Sequence, residues 1–149
     1  MAKKTKLINV DISSDDRGEL VFSNKFDFST NKIKRFYKIS NHNINFIRAW
    51  HGHKKEEKFI LILSGSLKVA VVKIDNWKKP SKKLNLENFF LNEKKPQLLH
   101  IPAGYAHGTQ NLKKETSFIV FSTLSLKDSL KDDFRYPYNY WGNWKISFR

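Results

Sequence analysis

Cysteine is absent from this chain of 149 residues, and no apolar run approaches the ~20 residues that a membrane span needs. The lack of cysteine excludes disulfides and thiolate metal sites. The N-terminal segment MAKKTKLINVDISSDD carries lysines but lacks the apolar stretch of a secretory signal peptide. We therefore expect a cytoplasmic protein that has no membrane partner.

Acidic residues are few: 14 Asp and Glu stand against 28 Lys and Arg, which gives a net charge of +14. Such an excess indicates either an anionic ligand or a solvated, lysine-rich surface. The lysines are spread from Lys3 to Lys145 and form no single stripe, which favours the solvated surface. No nucleic-acid-binding motif is present, and no nucleic-acid partner is expected.

Helical periodicity is almost missing, whereas short apolar or alternating runs separated by turns recur along the chain. This pattern predicts one all-β domain over residues 1–149, a barrel or a sandwich. One helical turn is expected within 125–133, with Ser125 as its cap. The aromatic tail, 134–144, could cover a barrel mouth, stack on a ligand or fill a dimer interface. The predicted strands are 5–12, 20–22, 26–28, 34–39, 44–50, 58–63, 67–74, 84–91, 98–101 and 117–124, and Ser64-Gly65-Ser66 is predicted to close a hairpin.

The first motif runs from Arg48 to Gly65 and reads RAWHGHKKEEKFILILSG. Residues two apart on a strand face the same way, so His51 and His53 are expected to share a face. By the same alternation Lys58 shares a face with Ile60 and Ile62.

The second motif, IPAGYAHGTQN, places Pro102 and Gly104 in a turn before a strand that carries His107. That strand can deliver His107 to the same cavity as the first two histidines. His100 precedes the motif and is expected to point outward.

Two histidines, an acidic residue and then PxGxxH resemble the two-part signature of the cupin superfamily, which implies a double-stranded β-helix, or jelly-roll, barrel. In metal-binding cupins a glutamate lies seven residues before the closing glycine. Here that position holds Lys58, and Glu57 is one residue off, which turns its side chain to the other face. A lysine among the ligands would also repel a cation, so no metal and no cofactor are expected.

Arg48-x-x-His51, Lys58, Gly65 and PAGYAHG resemble a metal-free branch, the dTDP-4-dehydrorhamnose 3,5-epimerases. The resemblance implies a homodimeric enzyme of surface polysaccharide synthesis that enolises a dTDP-4-keto-6-deoxyhexose. His51 would remove the proton next to the ketone, and Lys58 would stabilise the enolate oxygen. His53 is the third catalytic candidate. The implied substrate-binding residues are Arg48, Arg17, His107, Tyr105 and Tyr37.

Two positions depart from the epimerases. Val120 stands where the epimerases carry the tyrosine that acts as catalytic acid. Tyr138-Asn139-Tyr140 lacks the aspartate that orients the catalytic histidine in that family. Lys34-Arg35-Phe36-Tyr37 and the HxHK run instead resemble the dTDP-sugar 3,4-ketoisomerases. The alternatives are therefore a 3,4-ketoisomerase, a sugar-binding protein without activity, and a metal-dependent cupin.

Overall fold

Twelve β-strands and one short helix make up the part of the chain that the computed structural model describes, residues 2–142 and 144–149. The helix α1 spans Leu126–Lys131. The strands are β1 (Lys6–Asn9), β2 (Asp11–Asp15), β3 (Gly18–Phe22), β4 (Arg35–Ser40), β5 (Ile47–His53), β6 (Lys58–Ser64), β7 (Ser66–Lys73), β8 (Leu86–Asn92), β9 (Gln97–Ile101), β10 (Tyr105–Asn111), β11 (Ser117–Ser122) and β12 (Phe134–Arg135).

The strands form two antiparallel five-stranded sheets and a separate hairpin. The first sheet has the order β1-β9-β6-β11-β4, and the second has the order β12-β5-β10-β7-β8. Strands β2 and β3 pair only with each other. Because neighbours along the chain often lie in opposite sheets, the arrangement is a jelly roll, and the predicted all-β fold is confirmed.

The core between the sheets is built from aliphatic residues of alternating strands. On β7, Val69 and Val71 point into this core, whereas Ala70 and Val72 point to the opposite face. That opposite face is also covered, so β7 is apolar on both sides and reads as one continuous hydrophobic run.

The C-terminal tail supplies this cover. Trp141 and Trp144 pack on Trp50 of β5, with ring centroids 5.4 and 5.3 Å apart. Trp141 also donates from Nε1 to the carbonyl of Ser81 at 2.8 Å. The tail thus lies largely on the outer face of the second sheet, while Arg135 near its start lines the cavity between the sheets, and a role in a dimer interface stays a prediction.

The predicted hairpin at Ser64-Gly65-Ser66 is wrong. β6 and β7 belong to different sheets, and the chain crosses between the sheets at Gly65, whose φ is +79°. A Cβ there would lie 2.8 Å from the Cα of Thr116, so only glycine fits. Turn residues indicate that the chain changes direction, but they do not indicate which strands pair.

Two further expectations concern local structure. Residues 26–28, predicted as a strand, form a turn in which Phe26 packs on Phe59 at 5.1 Å and covers the first sheet. The helical turn is confirmed: Ser125 caps α1 by accepting from the backbone N–H of Asp128. Within the described residues no helix has the length and apolarity to cross a membrane.

Candidate active site

A cavity of about 250 Å³ lies between the sheets, and the residues of both sequence motifs line it. Four cationic side chains and one carboxylate stand among its described lining residues. These are Arg35, Arg48, Lys58, Arg135 and Asp133. The field in the cavity is therefore positive and suits an anionic ligand.

Three histidines meet on the wall formed by the second sheet. His51 and His53 lie on β5, and His107 lies opposite His51 on the neighbouring strand β10. The ring centroid of His107 is 5.8 Å from that of His51 and 5.9 Å from that of His53. The structure thus brings together the histidines of the two motifs, as their spacing predicted.

A bulge explains how Arg48 joins this face although it is three residues from His51. Between the pairs Thr109–Arg48 and His107–His51, β10 advances two residues while β5 advances three. The extra residue re-aims Arg48 toward the cavity.

Buried asparagines hold the Arg48 side chain in place. Asn41 accepts from Arg48 Nε at 2.6 Å and donates to Asn111 Oδ1, also at 2.6 Å. Asn111 is the last residue of the PxGxxHxxxN motif. Among the described residues Arg48 donates a hydrogen bond from Nε alone, so the terminal nitrogens of the guanidinium are left to meet a ligand.

The tautomer of His53 follows from its partners. Its Nδ1 lies 2.7 Å from the carbonyl oxygen of Asp132 and 3.1 Å from a carboxylate oxygen of Glu56. A carbonyl only accepts, so Nδ1 carries the proton. The buried Nε2 has no hydrogen-bond partner among the described residues, and its lone pair is available as a base.

Glu56, which the sequence analysis did not single out, is a buried carboxylate that holds several side chains of the site in place. It is 1% exposed and accepts from Arg35 at 3.3 Å, from Ser129 Oγ at 2.8 Å and from Ser122 Oγ. Its Oε2 also lies 3.9 Å from Lys58 Nζ. This carboxylate lies beside Nδ1 of His53, so the site has a buried anion although the tail lacks an aspartate.

Asp132 connects the helix to the loop between β5 and β6. Its carboxylate accepts from the backbone N–H groups of Lys54, Lys55 and Glu56 at 2.8 to 2.9 Å. Its own carbonyl accepts from His53. One residue therefore fixes both the loop and the histidine ring.

Burial and neighbouring cations keep the three histidines neutral near pH 7. Burial, Arg135 and Lys58 lower the pKa of His51 to about 4. Burial and then Lys58 lower the pKa of His53, and Glu56 opposes them. Burial, Lys58 and the other two histidines hold the pKa of His107 well below its ordinary value.

Lys58 and Tyr37 face the histidines from the first sheet. Lys58 is 7% exposed, and its Nζ lies 3.0 Å from the Tyr37 hydroxyl. The alternation that placed Lys58 inward with Ile60 is confirmed. Tyr37 lies directly opposite Val120 in the pairing of β4 with β11. A phenol thus stands beside the position where the epimerases carry their tyrosine.

Two predicted substrate-binding residues lie away from this cavity. Arg17 is on the exposed turn between β2 and β3 and pairs with Asp15. Tyr105 is buried in the core beside a separate surface hollow that Glu87 also lines. Their predicted roles stay predictions, and the cavity of this chain is built without them.

Glu57 also points away from the cavity. This is the direction expected from its position one residue before that of the glutamate ligand in metal-binding cupins. It pairs with Lys3 and His100 on the outer side of β6. Among residues 2–142 and 144–149, no three His, Cys, Asp or Glu side chains are grouped as metal ligands.

Sequence reasoning missed Glu56, Asp132, Arg35 and Arg135. Arg35 could have been found, because KRFYK alternates and Arg35 therefore shares a face with Tyr37. The other three carry no sequence signal, since Glu56 lies in a run of charged residues, and the helix and β12 bring Asp132 and Arg135 to the site from distant positions.

Comparison with known proteins agrees with this geometry. The pattern of the family described as "FdtA: WxcM-like, C-terminal" matches residues 3–141. The chain belongs to this family. A curated relative, the spore coat polysaccharide biosynthesis protein SpsL of Bacillus subtilis (strain 168), is 28% identical over 142 residues, which cover 91% of each chain.

Solved structures show the same fold. The WlaRB TDP-quinovose 3,4-ketoisomerase of Campylobacter jejuni is 25% identical, with a TM-score of 0.68 over 91% of this chain and 95% of that one. The dTDP-4-dehydrorhamnose 3,5-epimerase of Bacillus anthracis str. Ames is 19% identical, with a TM-score of 0.70 over 87% of this chain and 76% of that one. Both resemblances seen in the sequence are confirmed, and the FdtA/WxcM-like chain has the cupin-type barrel.

Proposed function

We propose that the protein is a 3,4-ketoisomerase that acts on a dTDP-linked 4-keto-6-deoxyhexose in polysaccharide biosynthesis. The 25% identical ketoisomerase supports the reaction, and the SpsL relative supports the pathway. The observation that carries the proposal is the position of two neutral histidines on one face of β5, opposite an apolar Val120.

The reaction moves two protons between adjacent positions of the sugar. The C3–H bond breaks, its electron pair forms C3=C4, and the C4 carbonyl becomes an enolate oxygen. The C3 hydroxyl then passes its proton to the C4 oxygen as C3=O forms, and C4 takes back the proton that C3 gave up, so that C4 ends as a hydroxyl-bearing carbon. These transfers occur on neighbouring atoms and suit two bases side by side, His51 for carbon and His53 Nε2 for oxygen.

The cations of the cavity stabilise the negative charge. Lys58 faces the enolate oxygen, which in such a dry site lowers the barrier by several kcal/mol. Arg48 and Arg135 would contact the diphosphate. A bound diphosphate also offsets Arg135 and Lys58, two causes of the low pKa of His51, and so returns that histidine toward the basicity that the reaction needs.

The second candidate is a 3,5- or 3-epimerase, which Tyr37 favours. Epimerisation requires a proton from the face opposite the base. Tyr37 lies on the sheet facing the histidines, beside Val120, and could donate this proton. In either reaction we propose a homodimer, as the family resemblance implied.

Heavy-water NMR with dTDP-4-keto-6-deoxyglucose tests the proposal. A 3-keto product without deuterium at C5 is expected from a ketoisomerase, whereas labelled and inverted C3 or C5 would establish an epimerase. His51→Asn should stop either reaction and retain binding of the nucleotide-sugar.

Two outcomes would contradict the proposal. Tight binding without any exchange or product would identify a binding protein. Unchanged turnover in His51→Asn would remove this histidine from the chemistry. The Tyr37→Phe variant is the control for the second candidate, because it should abolish epimerisation and leave ketoisomerisation largely intact.

A further inference from the structure

A second concave surface, which we call the outer groove, lies on the other side of β6 from the catalytic cavity. Its volume is about 780 Å³. On β6, Lys58 and Ile60 face the cavity, whereas Phe59 faces the outer groove, as does Glu57 just before the strand. The two hollows therefore share one strand as a wall but have different lining residues.

The outer groove is strongly basic. Its described lining holds a single carboxylate, that of Glu57, against six lysines: Lys3, Lys4, Lys6, Lys32, Lys34 and Lys55. Both oxygens of Glu57 are engaged, one by Lys3 at 2.7 Å and one by His100 Nε2 at 2.6 Å. Among the described residues no carboxylate lies within ion-pair distance of the other five lysines, which are exposed along the groove. Like charges gathered in one concavity repel one another, and an anion bound there would reduce this repulsion.

A buried imidazole holds the carboxylate of this groove. His100 is 5% exposed and stacks flat on Phe59, with ring centroids 4.4 Å apart. Its Nε2 donates to Glu57, and its Nδ1, which is closed to solvent, has no partner in the described chain. The carboxylate of the described lining is therefore already engaged, and the groove presents its other lysines to an anion. Phosphate groups carry the negative charge and the acceptor oxygens that match ammonium donors.

We propose that the outer groove is a second ligand site, which binds a small molecule carrying several phosphate groups. The lysines neutralise the phosphates and donate hydrogen bonds to their oxygens. The volume lies in the range of pockets for small ligands and not of extended polymers. The site is independent of the sugar reaction proposed above, since none of its residues lines the catalytic cavity.

Titration calorimetry with inorganic tripolyphosphate at low ionic strength tests this site. The variant Lys6→Gln with Lys34→Gln should weaken binding by about tenfold or more, because two charge-assisted contacts are lost. The matched control, Lys78→Gln with Lys79→Gln, removes the same charge from an exposed loop over the second sheet and should change binding less than about twofold. Arg48→Gln, in the catalytic cavity, should have no effect.

Several outcomes would overturn the proposal. Equal losses in the two lysine pairs would indicate general charge attraction, and a large loss in Arg48→Gln would move binding to the cavity. Stronger binding of a single-stranded oligonucleotide than of tripolyphosphate at equal phosphate concentration would replace the small ligand with a polymer.

Discussion

Replacing Glu56 with glutamine tests whether the buried carboxylate supports the histidine site. The change keeps the shape of the side chain and removes its charge. Glu56 is 1% exposed, accepts hydrogen bonds from Arg35 and two serine hydroxyls, and lies beside His53. Removing one partner of a fully buried ion pair costs about 3–5 kcal/mol.

Two features reduce this cost in Glu56→Gln. The Arg35 side chain is 24% exposed, so water partly replaces the lost partner. The amide also keeps one acceptor oxygen, and the hydroxyls of Ser122 and Ser129 can rotate to accept. We therefore expect a loss of about 2 kcal/mol in the free energy of unfolding, measured with urea. Glu115→Gln, an exposed carboxylate, is the matched control and should change stability by less than about 0.5 kcal/mol.

Catalysis should respond in a defined direction. The carbonyl of Asp132 still fixes the tautomer of His53, so kcat should fall only about tenfold. Loss of the nearby negative charge lowers the pKa of His53 further, and the acidic limb of the kcat/KM profile should move to lower pH. A limb that moves to higher pH, or a stability no lower than that of Glu115→Gln, would refute this reasoning.

Three further variants test the fold and the electrostatics. Gly65→Ala should lower the free energy of unfolding by about 3 kcal/mol, because the added Cβ meets Thr116. Gly104→Ala, at φ +92° with open space around it, should lower the same free energy by only about 1–2 kcal/mol, and urea unfolding of both variants measures the difference. The pKa of His51 in the folded protein, about 4, lies below its pKa in the unfolded chain, so between pH 6.5 and 4 the unfolded chain binds more protons. The free energy of unfolding should therefore fall as the pH falls through this range, by up to about 3 kcal/mol. In His51→Asn this fall should be smaller by the same amount, and an equal pH dependence of stability in both proteins would contradict the prediction. Trp141→Ala should lower the thermal unfolding temperature through a loss of about 3–5 kcal/mol, and a variant as stable as the parent protein would contradict the role of Trp141 as cover of the second sheet.

The strands and the inward direction of the key side chains could be predicted because alternation is a local property. His51, His53 and Lys58 face the cavity as a period of two requires. Strand pairing is not local, and for that reason the turn at Gly65 was taken for a hairpin.

The support beneath the histidines was not predictable for the same reason. Glu56 lies in the run KKEEK, which reads as a solvated charged loop. Three of the residues that hold it, Ser122, Ser129 and Asp132, come more than sixty residues later in the chain. The pairing that sets Tyr37 beside Val120 likewise joins strands that are far apart in sequence.

The position of Asp132 in the chain separates the barrel from the support of its histidines. The strands of both sheets except β12 end by Ser122, whereas the residue that fixes His53 and the loop before β6 comes ten residues later. A chain cut between these two residues would keep eleven of the twelve strands and lose the acceptor that holds Nδ1 of His53.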